Sequence, residues 1–127
     1  MAEPTLPLHI ALLAALKSAC DCDVWDAVPQ DANYPYVTLD SMISSEEEYL
    51  TLRAQTRFVY LGVWSRKNGQ AEIMQIMADI DSALHEQPLT LSTGHAVSVR
   101  VERTRTVREP DNLTYQGQVT LRIVTQH

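Results

Sequence analysis

The chain has 127 residues, of which 45% are hydrophobic and 20% are charged, and its formal net charge is -6. This composition is typical of a folded globular protein rather than a disordered one, and a chain of this length is most simply one domain, residues 1–127. The acidic balance argues against a protein that holds nucleic acid by its bulk charge, because such binding draws on clustered lysines and arginines.

Two cysteines, Cys20 and Cys22, stand one residue apart. That spacing is too tight for an ordinary disulfide and is not a CxxC redox motif. The four histidines are scattered without the spacing of metal ligands, so we expect two reduced thiols, no metal and no cofactor. The apolar run near the N-terminus follows an acid and is well short of the ~20 residues that cross a bilayer, so we expect an intracellular protein with no membrane segment.

The first predicted element is an apolar helix that Thr5 can cap, with Pro7 tolerated in its opening turn. Its apolar stripe is broad, which predicts a well-buried helix. The stripe consists of Leu6, Leu13 and Leu16, with Leu8, Leu12 and Ala15 alongside. A short strand is predicted next, at 23–28.

The stretch 33–66 predicts a long β-hairpin. Proline is tolerated at the first residue of a strand, as at Pro35, and from there Val37, Leu39 and Ile43 fall on one face. The sequence SSEEE at 44–48 predicts the turn, and a third strand follows over 49–65. At ~3.3 Å per residue such a strand spans on the order of 50 Å, whereas a domain of this size has a radius of gyration of only about 14 Å. We therefore expect the hairpin to project from the body.

The remaining elements are a second helix and a second hairpin. The helix opens at Asn68 or Gly69 and carries the clearest buried stripe of the chain: Ile73, Ile76, Met77, Ile80 and Leu84. A fourth strand over 95–107 places Val97, Val99 and Val101 on one face, and a fifth strand covers 113–124. The predicted fold is α+β, with a mixed, mainly antiparallel sheet of four to five strands and two helices packed on one face.

Sequence motifs of catalysis are absent. The chain has no glycine-rich phosphate loop, no HExxH and no GxSxG. Asp21, Asp23 and Asp26 form the one acidic cluster near a predicted helix end, and such clusters are more typical of a solvated turn. We therefore expect a protein that is not an enzyme and has no catalytic residues.

Two features point to self-assembly. The even positions of the third strand give the hairpin an apolar face that includes Leu50, Leu52 and Phe58, and a projecting apolar face needs a partner. Arg103 and Arg105 share a face of the fourth strand, where they either protect a solvated sheet edge or contact the acids of a neighbour. We expect these five residues at a subunit interface.

Three acids, Glu46, Glu47 and Glu48, stand at the predicted tip of the hairpin. They can pair with the arginines of a neighbouring subunit or line the rim or channel of a ring. Either reading assigns the excess length of the hairpin to assembly rather than to the core of one subunit.

Across roughly residues 8–125, the order and spacing of the segments resemble the tail-completion or tail-terminator proteins of long-tailed bacteriophages, prophages and gene transfer agents. The resemblance is carried by the strand start PYVTL at 35–39, the passage VWSRKNG at 63–69, and the late hairpin REPDNLTYQG at 108–117. The resemblance implies a structural virion protein with no catalytic residues.

The implied role is a hexameric ring, built in the host cytoplasm, that caps the tail tube and stops its polymerisation. Its partners would be copies of itself, the tail tube protein and a head-tail connector, with DNA only passing through the lumen. The alternative is a small oligomeric α+β module that binds a ligand or a protein and is unrelated to virions. A ligand module should have a pocket with convergent polar groups, and the sequence shows no such cluster.

Overall fold

A computed structural model describes residues 3–48, 53–66, 70–111 and 113–127. The seven elements follow the predicted order α-β-β-β-α-β-β. They are α1 (Thr5–Ala19), β1 (Asp23–Trp25), β2 (Tyr36–Glu48), β3 (Arg53–Ser65), α2 (Ala71–Leu84), β4 (His95–Arg108) and β5 (Tyr115–Gln126). None of the helices within the described ranges is both long and apolar enough to cross a bilayer.

The strands form one five-stranded sheet in the order β1-β2-β3-β5-β4. β1 runs parallel to β2, and the other neighbours are antiparallel. The predicted α+β class with a mixed, mainly antiparallel sheet is confirmed. β1 is shorter than the predicted 23–28, because only three of its residues pair with β2.

The core lies between one side of the sheet and the two helices. The predicted stripe of α2 is confirmed, since all five of its residues are buried. They share one apolar cluster with Leu8, Leu12 and Leu16 of α1 and with the valines, leucines and isoleucine of the sheet. At Gly117 the sheet approaches α2 so closely that an added Cβ would lie 2.6 Å from Ile73 Cγ2, so the absence of a side chain is what lets the helix settle there.

The buried stripe of α1 differs from the prediction. Leu8, Leu12 and Leu16 are fully buried, whereas Leu6 is 65% exposed. Residues two apart on a helix are separated by about 200°, so the side that buries Leu8 turns Leu6 toward solvent. The helix begins after Pro4, and no side chain caps it, so the predicted cap at Thr5 is wrong.

The hairpin of β2 and β3 is long, but the prediction that it projects from the body is not confirmed. β3 pairs with β5 along its whole course, from Ala54 opposite Gln126 to Ser65 opposite Tyr115. β4 and β5 are as long as the hairpin itself, so the sheet as a whole is elongated and carries it. The length of one strand relative to the radius of gyration does not decide whether the hairpin projects, because the neighbouring strands are equally long.

The predicted valine face of β4 is wrong at one position. Ala96 pairs with Thr125 and Ser98 with Val124, so Val97 is an extra residue in a bulge, and it is 55% exposed. A second irregularity lies between Val101 and Arg103.

The outer edge of β4 is partly covered by the end of α2. The backbone N–H of Glu86 donates to the carbonyl of Val99 at 2.7 Å, and the N–H of Val101 donates to Nδ1 of His85 at 2.9 Å. Two positions of this edge strand are therefore already hydrogen-bonded within the subunit.

Candidate assembly interface: the helix-free face of the sheet

One side of the sheet carries neither helix. Residues directly opposite each other on antiparallel strands point to the same side. Leu61 and its partner Val119 are both buried in the core beneath the helices, so they mark the helix side of the sheet. The alternate residues of these strands point away from both helices. We call this second side the helix-free face. Its central residues are Ile43, Phe58, Tyr60, Arg103, Arg105 and Arg122.

Register places these side chains in two neighbouring rows across the sheet. In one row Phe58 stands between Ile43 of β2 and Arg122 of β5. The prediction that Ile43 shares a face with Val37 and Leu39 is wrong, because the irregularity between Leu39 and Ser41 moves Ile43 to the other face. In the next row, Tyr60 stands opposite Thr120, which in turn stands opposite Arg103. The register therefore brings Phe58, Arg103 and Arg105, which sequence analysis assigned to an interface, onto one face of the sheet.

The β2 and β3 part of this face is apolar and aromatic. Ile43 is 55% exposed, and Phe58, Tyr60 and Trp64 are half-buried. Ile43 and Phe58 stand opposite each other with Tyr60 next along β3, and exposed apolar side chains grouped in this way on an uncovered sheet are typical of a contact site. The fold thus supplies a partner surface without a projecting arm.

The β4 and β5 part of the face is basic. Arg103, Arg105 and Arg122 are exposed, and among the described residues no carboxylate lies within 4.0 Å of any of the three. Arg100, in contrast, is paired, since its Nη1 donates to Oε1 of Glu86 at 2.6 Å. Three arginines on this face are therefore available to a partner.

A groove of about 350 Å³ runs between the two parts of the face, with Asp40 and Ser41 on one side and Arg103 and Arg105 on the other. Gly62 stands beside it, and an added Cβ there would lie 2.7 Å from Thr38 Oγ1. The Thr38 hydroxyl instead occupies that space and donates to Oδ1 of Asp40 at 2.7 Å. This bond holds the carboxylate of Asp40 in place beside the groove.

The predicted turn at 44–48 is wrong, because β2 continues to Glu48 and pairs with β3 throughout this stretch. The structure describes the side chain of Glu46 and not those of Glu47 and Glu48, and Leu50 and Leu52 lie outside the described residues. Gln55 donates from Nε2 to Oε2 of Glu46 at 3.0 Å, and Arg53 pairs with the same carboxylate. The hydrogen bonds from Arg53 and Gln55 lower the pKa of Glu46 to about 2. Glu46 thus already has basic and amide partners within its own subunit.

The helix side of the molecule has a cavity of about 620 Å³ between the end of α1, the loop before β2 and the first half of α2. Acidic side chains dominate its lining: Asp21, Asp23, Glu72 and Asp79. Both cysteines are free thiols, and a hydrogen bond between them raises the pKa of Cys20 and lowers that of Cys22. No group of three metal-binding side chains occurs among the described residues.

The burial of Arg57 was not predicted from the sequence. Arg57 of β3 is fully buried, and its guanidinium donates to Thr125 Oγ1 at 3.0 Å and to Thr5 Oγ1 at 2.7 Å. It also forms an ion pair with Glu3, whose side chain is 41% exposed. The available signal was that Arg57 continues the alternate series Val59, Leu61 and Val63, all of which face the helices.

Taken together, the structure is an α+β sandwich with one open, partly apolar and partly basic sheet face, as expected of a subunit that acts by assembly. Residues 9–126 match the family described as "Tail completion protein gp17", and the chain belongs to this family. A chain from the virion of a native gene transfer agent particle has the same fold, with 19% identity, a TM-score of 0.88 and 100% of both chains covered. No match is found among curated protein sequences.

Membership of this family gives the chain a structural role in a phage-type tail and a place in the tail of the virion. A tail component functions in assembly with other tail and head-tail proteins. The family favours a protein without catalytic activity, in agreement with the sequence.

Proposed function

We propose that this chain forms a ring of six copies that caps the tail tube, ends its polymerisation and offers a surface to the head-tail connector. The ring assembles in the host cytoplasm, has no enzymatic activity and contacts DNA only as DNA passes through the lumen. Phe58, Arg103 and Arg105 lie at the contact between subunits, together with Leu50 and Leu52, while Glu46, Glu47 and Glu48 lie at the rim or channel.

The observation that carries this proposal is the helix-free face in a chain of the tail-completion family. The main apolar core of the subunit lies on the helix side, so the apolar half of the open face is left partly exposed in a single copy. A partner that covers Ile43 and Phe58 would remove apolar surface from water, which is the main favourable term in association. Family membership supports this function over the alternative, a ligand- or protein-binding module unrelated to virions.

Deleting the gene in a strain that produces the particles should give tails of irregular and mostly excessive length, because nothing would stop tube growth. Electron microscopy of purified particles measures the length distribution. Expression of the intact chain from a plasmid should restore a single length. Tails of normal length in the deletion strain, with heads attached, would rule out the terminator function.

Neutralising the tip acids by Glu46→Gln, Glu47→Gln and Glu48→Gln together should leave rings intact and reduce DNA delivery. Glu46 is bonded within its own subunit, so the ring does not need it as a contact, whereas acids along a channel keep passing DNA from adhering. Native mass measurement reports ring formation, and transfer frequency reports delivery.

A control for the tip variant neutralises two acids that lie neither at the tip nor on the helix side: Glu102→Gln and Glu109→Gln. It should change neither ring formation nor DNA delivery. Loss of rings in the tip variant alone would place the acids at the subunit contact, and normal rings with normal delivery would remove both roles.

A further inference from the structure

We propose that the helix-free face of one copy docks onto the acidic helix side of a second copy, around the cavity lined by Asp21, Asp23, Glu72 and Asp79. This inference rests on the proposed ring and names the two surfaces that meet in it. The contact is head-to-tail, since each copy offers one surface to one neighbour and the other surface to the next.

Charge is segregated within the chain. The segments that form the helix side, 3–35 and 70–86, carry nine of the sixteen acidic residues and one of the ten basic residues. By register, four of the ten basic residues lie on the helix-free face, where Asp40 stands beside the groove: Arg100, Arg103, Arg105 and Arg122. A net charge of -6 therefore conceals two surfaces of opposite character on opposite sides of the sheet.

The central arginines of the helix-free face and the acids of the cavity form no ion pairs within the described part of the subunit. Arg103, Arg105 and Arg122 have no carboxylate within 4.0 Å among the described residues. On the helix side, none of the four cavity acids lies that close to a basic side chain in the described part of the chain. Complementary potentials of this kind fix the orientation and register of a contact.

Each of the two surfaces also has apolar area. The helix-free face has Ile43 and Phe58 beside its arginines, and the cavity is lined by Tyr34, Pro35 and Ile76 beside its acids. Exposed ion pairs are worth only about 0–1 kcal/mol each, so apolar burial must supply most of the association energy and the charges the orientation. A polyanion such as DNA would use the arginines and leave Phe58 and Ile43 uncovered.

A second copy of the chain is the occupant because both complementary surfaces are on the same molecule. Two different surfaces that bind each other make a heterologous contact, and such contacts close into rings when the rotation between neighbours allows it. The opposite placement of the two surfaces, one on each side of the sheet, lets every copy engage two neighbours at once.

Charge reversal on each surface tests the proposal. The basic-face variant is Arg103→Glu with Arg105→Glu, and the acidic-side variant is Asp21→Lys with Asp79→Lys. In each variant alone, every head-to-tail contact brings like charges together. In an equimolar mixture every contact again joins opposite charges, so the two variants should associate in alternation.

Amide chemical shifts of isotope-labelled basic-face variant, titrated with unlabelled protein, detect association even when it is weak. We expect shifts in β4 and β5 on addition of the acidic-side variant, with affinity on the order of tenfold higher than for either variant with itself, since two repulsive pairs become attractive. A control variant with the same charge change outside the face, Arg53→Glu with Arg108→Glu, should not gain affinity for the acidic-side variant. Arg103→Gln with Arg105→Gln should also bind wild type more weakly, which keeps the test valid if the glutamate variant folds poorly.

The proposal is overturned if the mixture associates no better than the control mixture. It is also overturned if the basic-face variant self-associates as wild type does, or if short duplex DNA shifts β4 and β5 of wild type more than the protein partner does. The tail-length experiment is separate. Normal tails in the deletion strain, together with head-to-tail association in solution, would rule out the terminator function and support this contact. Irregular tails, together with no gain of affinity in the mixture of charge-reversed variants, would support the terminator function and rule out this contact.

Discussion

Ile80→Ala should lower the free energy of unfolding by about 2–5 kcal/mol, the cost of removing a buried isoleucine side chain and leaving a cavity. Ile80 is fully buried at the centre of the α2 stripe, where the helix meets the sheet and α1. Urea titration followed by circular dichroism measures the change.

Met74 on the same helix provides the control, because its side chain is 53% exposed. Met74→Ala keeps helix propensity high and should change the free energy by no more than about 0.5 kcal/mol, as expected for a surface position. A loss below about 0.5 kcal/mol for Ile80→Ala as well would show that α2 is not packed on the sheet in the isolated subunit.

Glu3→Gln should cost about 2–3 kcal/mol at neutral pH. The change leaves the guanidinium of Arg57 buried without a countercharge, which costs about 3–5 kcal/mol in a fully buried pair and less here because Glu3 is partly exposed. Glu46→Gln, which removes the acid of an exposed pair at the hairpin tip, is the matched control and should have little effect on unfolding.

The effect of Glu3→Gln should also depend on pH. Partial burial raises the pKa of Glu3, but hydrogen bonds from Thr5 and Arg57 outweigh it and hold the pKa below the ordinary value of 4.5. A lowered pKa in the folded state means that the stabilisation is complete above about pH 4.5 and is lost as the pH falls through the folded value. The stability difference between wild type and Glu3→Gln should therefore shrink in acid, and a difference that stays constant down to pH 2, about two units below the ordinary pKa of glutamate, would contradict the ion pair.

Much of the fold could be predicted because its signals are local. The stripe of α2 repeats with the helical period and β5 alternates with a period of two, so the element order and the buried side of these two elements followed from the sequence. The projecting hairpin could not be judged locally, because whether a strand has a neighbour along its length depends on strands far away in the chain. The burial of Arg57 was missed for the same reason, since its acid partner Glu3 is 54 residues away.

The side of the sheet on which Arg103 and Arg105 lie could not be derived from simple alternation, and β4 shows why. Val99 and Val101 face the core, and simple alternation would send Arg103 and Arg105 to the same side. The irregularity between Val101 and Arg103 adds one residue and moves both arginines to the helix-free face. The change from valines to arginines at alternate positions was the visible sign of that shift.

The covered edge of β4 bears on how newly made copies behave before any tail exists. Val99 and Val101 are already hydrogen-bonded to the residues at the end of α2, so this edge cannot pair with a foreign strand at those positions. Strand addition is the route by which sheet proteins grow into cross-β fibres. Along this part of the β4 edge, contact between copies is left to side chains. Such contacts have a defined rotation between neighbours and can close after a fixed number of subunits, whereas strand addition has no built-in end.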